Sequence, residues 1–290
     1  MSGPGHPILT LVPYRPGLSA LNCIVEGMPN DVYHAGPGVS KSGLDLVALS
    51  PAHYAARRAR QKARPGQLEG SMLHTALLEP NEFDARYIVG PSVNRNTKGW
   101  HAFVESLKPG QTAIQDDQRE VAMLQAASLA AIPDVARLLR GSVREGSVYW
   151  TDPETNQLCR CRPDALTAIG DGVVLLDAKT FSRAKASAFT RQVEQKRYQV
   201  QDAFYSDGVQ TALGVDVLAF LFAVVETEPP YAAAVFALDE PSRQQGRALY
   251  RAALDRYADC MVADSWPGYS EDVQMIGLRD WALQQTDDLG

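Results

Sequence analysis

The feature that most constrains this chain is an apolar run, Val-Val-Leu-Leu at 173–176, set between Gly170-Asp171-Gly172 and Asp177-Ala178-Lys179-Thr180. Branched apolar residues bounded by turn residues predict a buried strand. Asp177 and Lys179 close that strand, and residues two apart project from one face. Asp164 stands on the expected hairpin partner, so the turn at 170–172 folds both carboxylates toward one edge. Two carboxylates beside one lysine on rigid sheet suit metal-assisted hydrolysis of a phosphodiester. The acids hold Mg²⁺, and the ammonium orients or helps deprotonate the attacking water.

The rest of the chain predicts the frame. Residues 1–30 are rich in Gly and Pro and read as an extended arm; 31–265 read as one domain, and 266–290 as a tail. A helix start is expected at Ser42, and a second helix opens at Pro51 and stops at Pro65-Gly66. That second helix carries Arg57, Arg58, Arg60, Lys62 and Arg64 without an acid. Such a run is ordinarily a solvated face; beside a phosphodiester site it becomes a candidate phosphate contact, Arg58 included. Residues 70–78 read as a helix containing His74, and a lone helical His is more often packed than ligating. At 91–101 a polar loop turns helical near Trp100. Arg95 and Lys98 there are placed to grip a phosphate, and Trp100 either stacks on a base or anchors its helix in the core.

Strands are expected at 147–152 and 158–169, joined by a turn at 152–156, with Glu145 just ahead of them. Arg160 and Arg162 share a face, for salt bridges or for phosphate. One long helix is expected over 183–213, with Gln201 and Tyr205 on one side. Strands at 215–225 and 231–238 and a helix over 241–261 follow. The order gives an α/β (α+β) fold, a mixed central sheet flanked by helices. The net charge of −6 disfavours a general nucleic-acid coat protein without excluding a nuclease. With no apolar run of membrane-spanning length and no leader pattern, a cytoplasmic location without membrane contact is the expectation. Four scattered cysteines make no disulfide framework, and Cys159 and Cys161 lack Cys-X-X-Cys spacing.

Taken together, these blocks resemble a known family over residues 30–240. Asp164 with Asp177-Ala178-Lys179 resembles the PD-(D/E)XK nuclease signature in its Asp-X-Lys form. Gln201 and Tyr205 look like the Gln-X-X-X-Tyr element of the RecB-like branch. Ser-Lys-Ser-Gly-Leu-Asp-Leu at 40–46, Ser-Pro-Ala-His-Tyr at 50–54 and the 70–80 block look like RecE-type exonuclease (exodeoxyribonuclease VIII). The resemblance implies a PD-(D/E)XK core and two Mg²⁺ ions per site, with Mn²⁺ as the alternative. It implies metal ligands His74, Asp164, Asp177 and the Ala178 carbonyl, with Glu145 as an extra acid. Catalytic roles fall to Asp164, Asp177, Lys179, Gln201 and Tyr205; DNA contacts to Arg58, Arg95, Lys98, Trp100 and Thr180. It implies 5′-to-3′ degradation of one strand from double-stranded DNA ends, leaving a 3′ overhang for a single-strand-annealing protein. It also implies a homo-oligomeric ring, trimer or tetramer, and a bacterial or phage-encoded origin. A structure-specific or restriction-type endonuclease on the same core and a non-catalytic DNA-end-binding recombination protein are the rival readings.

Overall fold

The computed structural model describes residues 9–18, 21–58 and 66–283. In chain order the first part holds β1 (Leu11–Pro13), β2 (Cys23–Glu26), α1 (Asn30–Ala35), α2 (Lys41–Leu49), α3 (Pro51–Arg58) and α4 (Gln67–Leu78). After a 3-10 turn come α5 (Phe83–Arg86), β3 (Tyr87–Val89), α6 (Lys98–Ser106), β4 (Thr112–Ile114), α7 (Asp116–Ala130) and α8 (Pro133–Arg140). The second half is β5 (Val143–Arg144), β6 (Ser147–Thr151), β7 (Leu158–Cys161), β8 (Ala165–Ile169) and β9 (Gly172–Phe181). Then follow α9 (Ala186–Lys196), α10 (Tyr198–Leu213), β10 (Asp216–Glu226), β11 (Ala233–Phe236), α11 (Glu240–Ala263) and α12 (Asp280–Leu283).

The apolar run lies in β9, the middle strand of a mixed sheet ordered β11-β10-β9-β8-β5. β9 runs parallel to β10 and antiparallel to β8, with Ala165 opposite Leu176. Alternate side chains feed two cores. Val173 and Leu175 pack with Phe189, Val200, Phe204 and Phe222 on the α9–α10 side. Val174, Leu176 and Ala178 pack with Leu73, Leu129 and Val135 on the side of α4, α7 and α8. A strand covered on both faces has no polar side, which is why the run is continuous rather than alternating. The mixed sheet flanked by helices is the architecture expected from the sequence. Among the described residues no single helix is long and apolar enough to cross a membrane.

Four local expectations need correction. The 158–169 stretch is two strands: β7 belongs to a second sheet ordered β1-β2-β6-β7, and β8 to the central one. Pro163 interrupts it, because proline has no N–H to continue a ladder. The 183–213 helix is broken at Arg197, whose φ of 55° is left-handed. No Gly or Pro marks this break. It is fixed from outside, where Asp45 of α2 pairs with Arg197 at 3.0 Å and with Lys41 at 2.7 Å, and Lys41 donates to the Lys196 carbonyl. The first helix is capped by Ser40, not Ser42. The stretch read as an extended arm carries β1 and β2, with β2 antiparallel to β6. In the tail, Trp266 stacks on Tyr54 with ring centroids 5.3 Å apart. Residues 59–65, with Arg60, Lys62 and Arg64, lie outside the described residues.

Helices α10 and α11 meet at Gly246, where an added Cβ would stand 2.0 Å from the Gln199 carbonyl oxygen. Backbone cannot step aside as a side chain can, so Gly246→Ala must part the helices. It is expected to lower stability by about 1–3 kcal/mol, read from the urea midpoint; an unchanged midpoint would contradict this packing.

Candidate active site

The chain passes between the two sheets at two neighbouring points. Leaving β5 for β6 it turns at Glu145, with φ of 51°, and returning from β7 to β8 it passes through Arg162, Pro163 and Asp164. The crossings are stitched together where the Glu145 N–H donates to the Asp164 carbonyl at 3.0 Å. The left-handed turn at Glu145 is adopted reluctantly by a side chain other than glycine. It sets this acid beside Asp164. Glycine follows at 146, where a Cβ would meet Ile24 at 2.6 Å.

Asp164 reaches across to β9, its Oδ2 accepting from the Ala178 N–H at 2.6 Å. On β9 itself Asp177 and Lys179 form an ion pair, as their shared face requires. The other Asp177 oxygen accepts from Gln201 Nε2 of α10 at 2.6 Å. The Lys179 ammonium also lies over the Tyr198 ring, 5.0 Å from its centre. Burial, the largest influence, opposes that charge. Asp177, Tyr198 and Asp164 together outweigh it, so Lys179 titrates above its ordinary value. It is therefore a cation at neutral pH, an orienting group rather than a base. Tyr205, one turn past Gln201, is half-buried with its ring edge-on to Phe220. Burial drives its hydroxyl well above the usual tyrosine range.

From the other side of the sheet α4 brings His74, whose Nε2 lies 3.0 Å from the Ala178 carbonyl and 3.2 Å from Asp164 Oδ2. Facing two acceptors, Nε2 carries a proton here, and the same atom becomes a ligand once that proton leaves. His74, Glu145 and Asp164 each place one donor atom within 4.8 Å of the others. Two carboxylates, a carbonyl and an imidazole suit Mg²⁺ or Mn²⁺. Burial pushes Asp164 up to about 7, and nearby Asp177 and Glu145 add to it while His74 pulls it down. Glu145 is likewise raised by burial. For His74 burial works against the charge, but Asp164 raises it above the usual imidazole value.

The group that converges is thus His74, Glu145, Asp164 and the Ala178 carbonyl. Asp177 lies alongside, its oxygens engaged by Lys179 and Gln201. Tyr198 had no sequence signal, because the helix break that presents it was invisible.

The expected DNA contacts fall in different environments. Trp100 is buried, 6% exposed, against Phe103, so it anchors its helix rather than stacking on a base. Arg95 lies over the Trp100 ring and donates to Gln118. Lys98 is exposed at the start of α6. Thr180 is half-buried on β9, in register with Val225. The side chain of Arg58 is outside the described residues. Arg160 and Arg162 are buried and stack on Tyr33. Arg160 donates to the carbonyls of His34, Gly36 and Pro37, and Arg162 to Ser147 and the Met28 carbonyl. They staple the α1 region to β7, so neither forms the surface salt bridge or the phosphate contact considered for them.

Residues 40–279 match the family described as "PDDEXK-like domain of unknown function (DUF3799)". No curated protein matches. Among solved structures, one described as "Putative exonuclease" from Eubacterium rectale superposes with a TM-score of 0.60 at 12% identity. That overlap covers 89% of this chain and 98% of the other. Protein SSO0001 overlaps with a TM-score of 0.28 at 14% identity, over 48% of this chain and 66% of that one. Protein VC1899 from Vibrio cholerae gives 0.22 at 12% identity, over 82% and 57%. The first shares the fold, and the other two carry no weight.

The raised Asp164 fixes the sign of a pH effect. An acid whose folded pKa is about 7, against about 3.9 when unfolded, contributes stability below pH about 4 that is lost as pH rises through 7. Metal-free protein is therefore expected to melt lower at pH 8 than at pH 5, and Asp164→Asn to lessen that loss. At pH 8, Mn²⁺ at a hundred times its dissociation constant should stabilise the wild type by about 2.7 kcal/mol and leave Asp164→Asn unmoved. Equal metal-induced shifts in calorimetry would place the ion elsewhere.

Proposed function

The chain belongs to the family of PDDEXK-like domains, and on that premise we propose that it is a divalent-metal-dependent exodeoxyribonuclease. It degrades one strand of linear duplex DNA from its end, 5′ to 3′, leaving a 3′ overhang for an annealing partner. The observation that carries the reading is the convergence of His74, Glu145, Asp164 and the Ala178 carbonyl beside the largely buried Asp177–Lys179 pair. The direction of degradation, the annealing partner and a ring assembly rest on the RecE-type resemblance of the sequence blocks.

His74, Asp164, Glu145 and the Ala178 carbonyl would hold the metal, with Asp177 next to them. When bound, a divalent cation there polarises the phosphoryl oxygen and makes water a stronger nucleophile. Lys179, kept charged by Asp177 and Tyr198, points its ammonium where it can orient the attacking water or a phosphate oxygen. Gln201 ties down the free oxygen of Asp177, so the carboxylate cannot turn away from Lys179. Burial of the cluster thins out competing water, and each charge acts at closer to full strength.

Wild-type protein with Mg²⁺ or Mn²⁺ is expected to release nucleotides from linear duplex DNA and to leave covalently closed plasmid intact. Lys179→Ala should lower the rate by about 10²–10³-fold, measured as acid-soluble label. Equal rates would remove Lys179 from the chemistry. Cleavage of closed circles would favour the endonuclease reading, and no release at all the non-catalytic one.

A further inference from the structure

Immediately beyond Lys179 the chain turns basic. Between 179 and 197 stand six basic residues, Lys179, Arg183, Lys185, Arg191, Lys196 and Arg197, and one acid, Glu194, in a protein of net charge −6. Lys179 and Arg197 are engaged by Asp177 and Asp45. Arg183, Lys185, Arg191 and Lys196 are exposed, and α9 turns its apolar positions, Phe189 and Val193, inward. Two elements on the opposite side of the sheet, α5 and α7, have the contrary character, while α8 there carries Arg137, paired with Asp134, and an exposed Arg140. There α5 and α7 expose Asp84, Asp116, Asp117 and Glu120, while Arg86 and Arg119 are neutralised by Glu79 and Asp84. A charge run is ordinarily just a solvated face. Within its own segment this one has a single acid, Glu194, although Glu226 of β10 accepts from the Ala184 N–H at 3.0 Å, and it is continuous in the chain with the Lys179 strand. It also flanks the side of the sheet to which Lys179 and Gln201 project.

We propose that the β9–α9 connection and the outer face of α9 form the track for the DNA phosphate backbone leading to the site. Arg183, Lys185, Arg191 and Lys196 are its contacts. This rests on the nuclease reading for its substrate. The dimensions agree. Arg183 is four residues from Lys179, a reach of at most about 14 Å. The 11 residues of α9 extend about 16 Å, the rise of about five phosphates along one strand. Contacts of this kind fix the register of the backbone and carry no base information. The track therefore accepts any sequence, as an enzyme working inward from an end requires.

The test measures binding of a fluorescent duplex in Ca²⁺ against salt, and cleavage in Mg²⁺ or Mn²⁺. It uses wild type, Arg183→Ala/Arg191→Ala, and Arg140→Ala on the far side of the sheet as control. The double variant is expected to flatten the log–log salt dependence of binding by about 1.8, at about 0.9 per phosphate contact. It should raise KM at least tenfold and hold kcat within twofold, with Arg140→Ala like wild type. An unchanged salt slope and KM in the double variant, or an equal change in Arg140→Ala, would overturn the track. A wild type that binds with the expected slopes but cuts nothing would overturn the nuclease reading while upholding the track.

Discussion

The structure turns on one largely buried ion pair, Asp177 with Lys179, near the end of a strand enclosed on both faces. Taking a single charge out of water costs several kcal/mol even after relaxation. Neither residue could be placed there without the other. Their spacing of two puts them on one face, and Gln201 and the Tyr198 ring close the remaining directions. The pair in turn dictates what surrounds it. The helix that follows must bring an amide and an aromatic ring to one end of the sheet. A single straight helix from 183 to 213 would have spent that end on another register, and the break at Arg197 resets it. From α2, Asp45 holds the break by an ion pair to Arg197 and Lys41 by a hydrogen bond to the Lys196 carbonyl, so α2 acts on the site through the helix break.

Much of this was written in the sequence where the physical signal is local. The β9 run, its turn at 170–172, the Asp164 partner and the flanking helices follow from periodicity and punctuation. So does the break at Pro133. What stayed hidden depends on contacts between distant segments. The helix break at Arg197 carries no Gly or Pro and is held by α2. Tyr198 joins the site only because of that break. Glu145 entered as an extra acid on resemblance alone, since a left-handed glutamate has no sequence signature. Trp100, Arg160 and Arg162 mislead for the opposite reason. Their types suit nucleic acid, but burial decides between a ligand contact and a staple, and burial is a property of the fold. Both terminal nitrogens of Arg160, and the Nε and one terminal nitrogen of Arg162, are already bonded to backbone carbonyls and a serine.

The acid cluster sits where it does because two sheets exchange strands there. At each crossing the ladder must end, which leaves backbone N–H and C=O groups to be satisfied by other means. Here the Glu145 N–H bonds the Asp164 carbonyl, and the Asp164 side chain takes the Ala178 N–H. The irregular backbone that would weaken an ordinary strand thus positions two carboxylates and frees the Ala178 carbonyl toward His74. A left-handed non-glycine residue costs of order 1–3 kcal/mol, and three acids crowded with one imidazole add repulsion that protons relieve. Such an arrangement persists only when the surroundings over-determine it. They do: β9 is clamped between β8 and β10, and both its faces lie in hydrophobic core. A loop would let these acids drift apart to solvent, whereas the double-sided strand keeps them together.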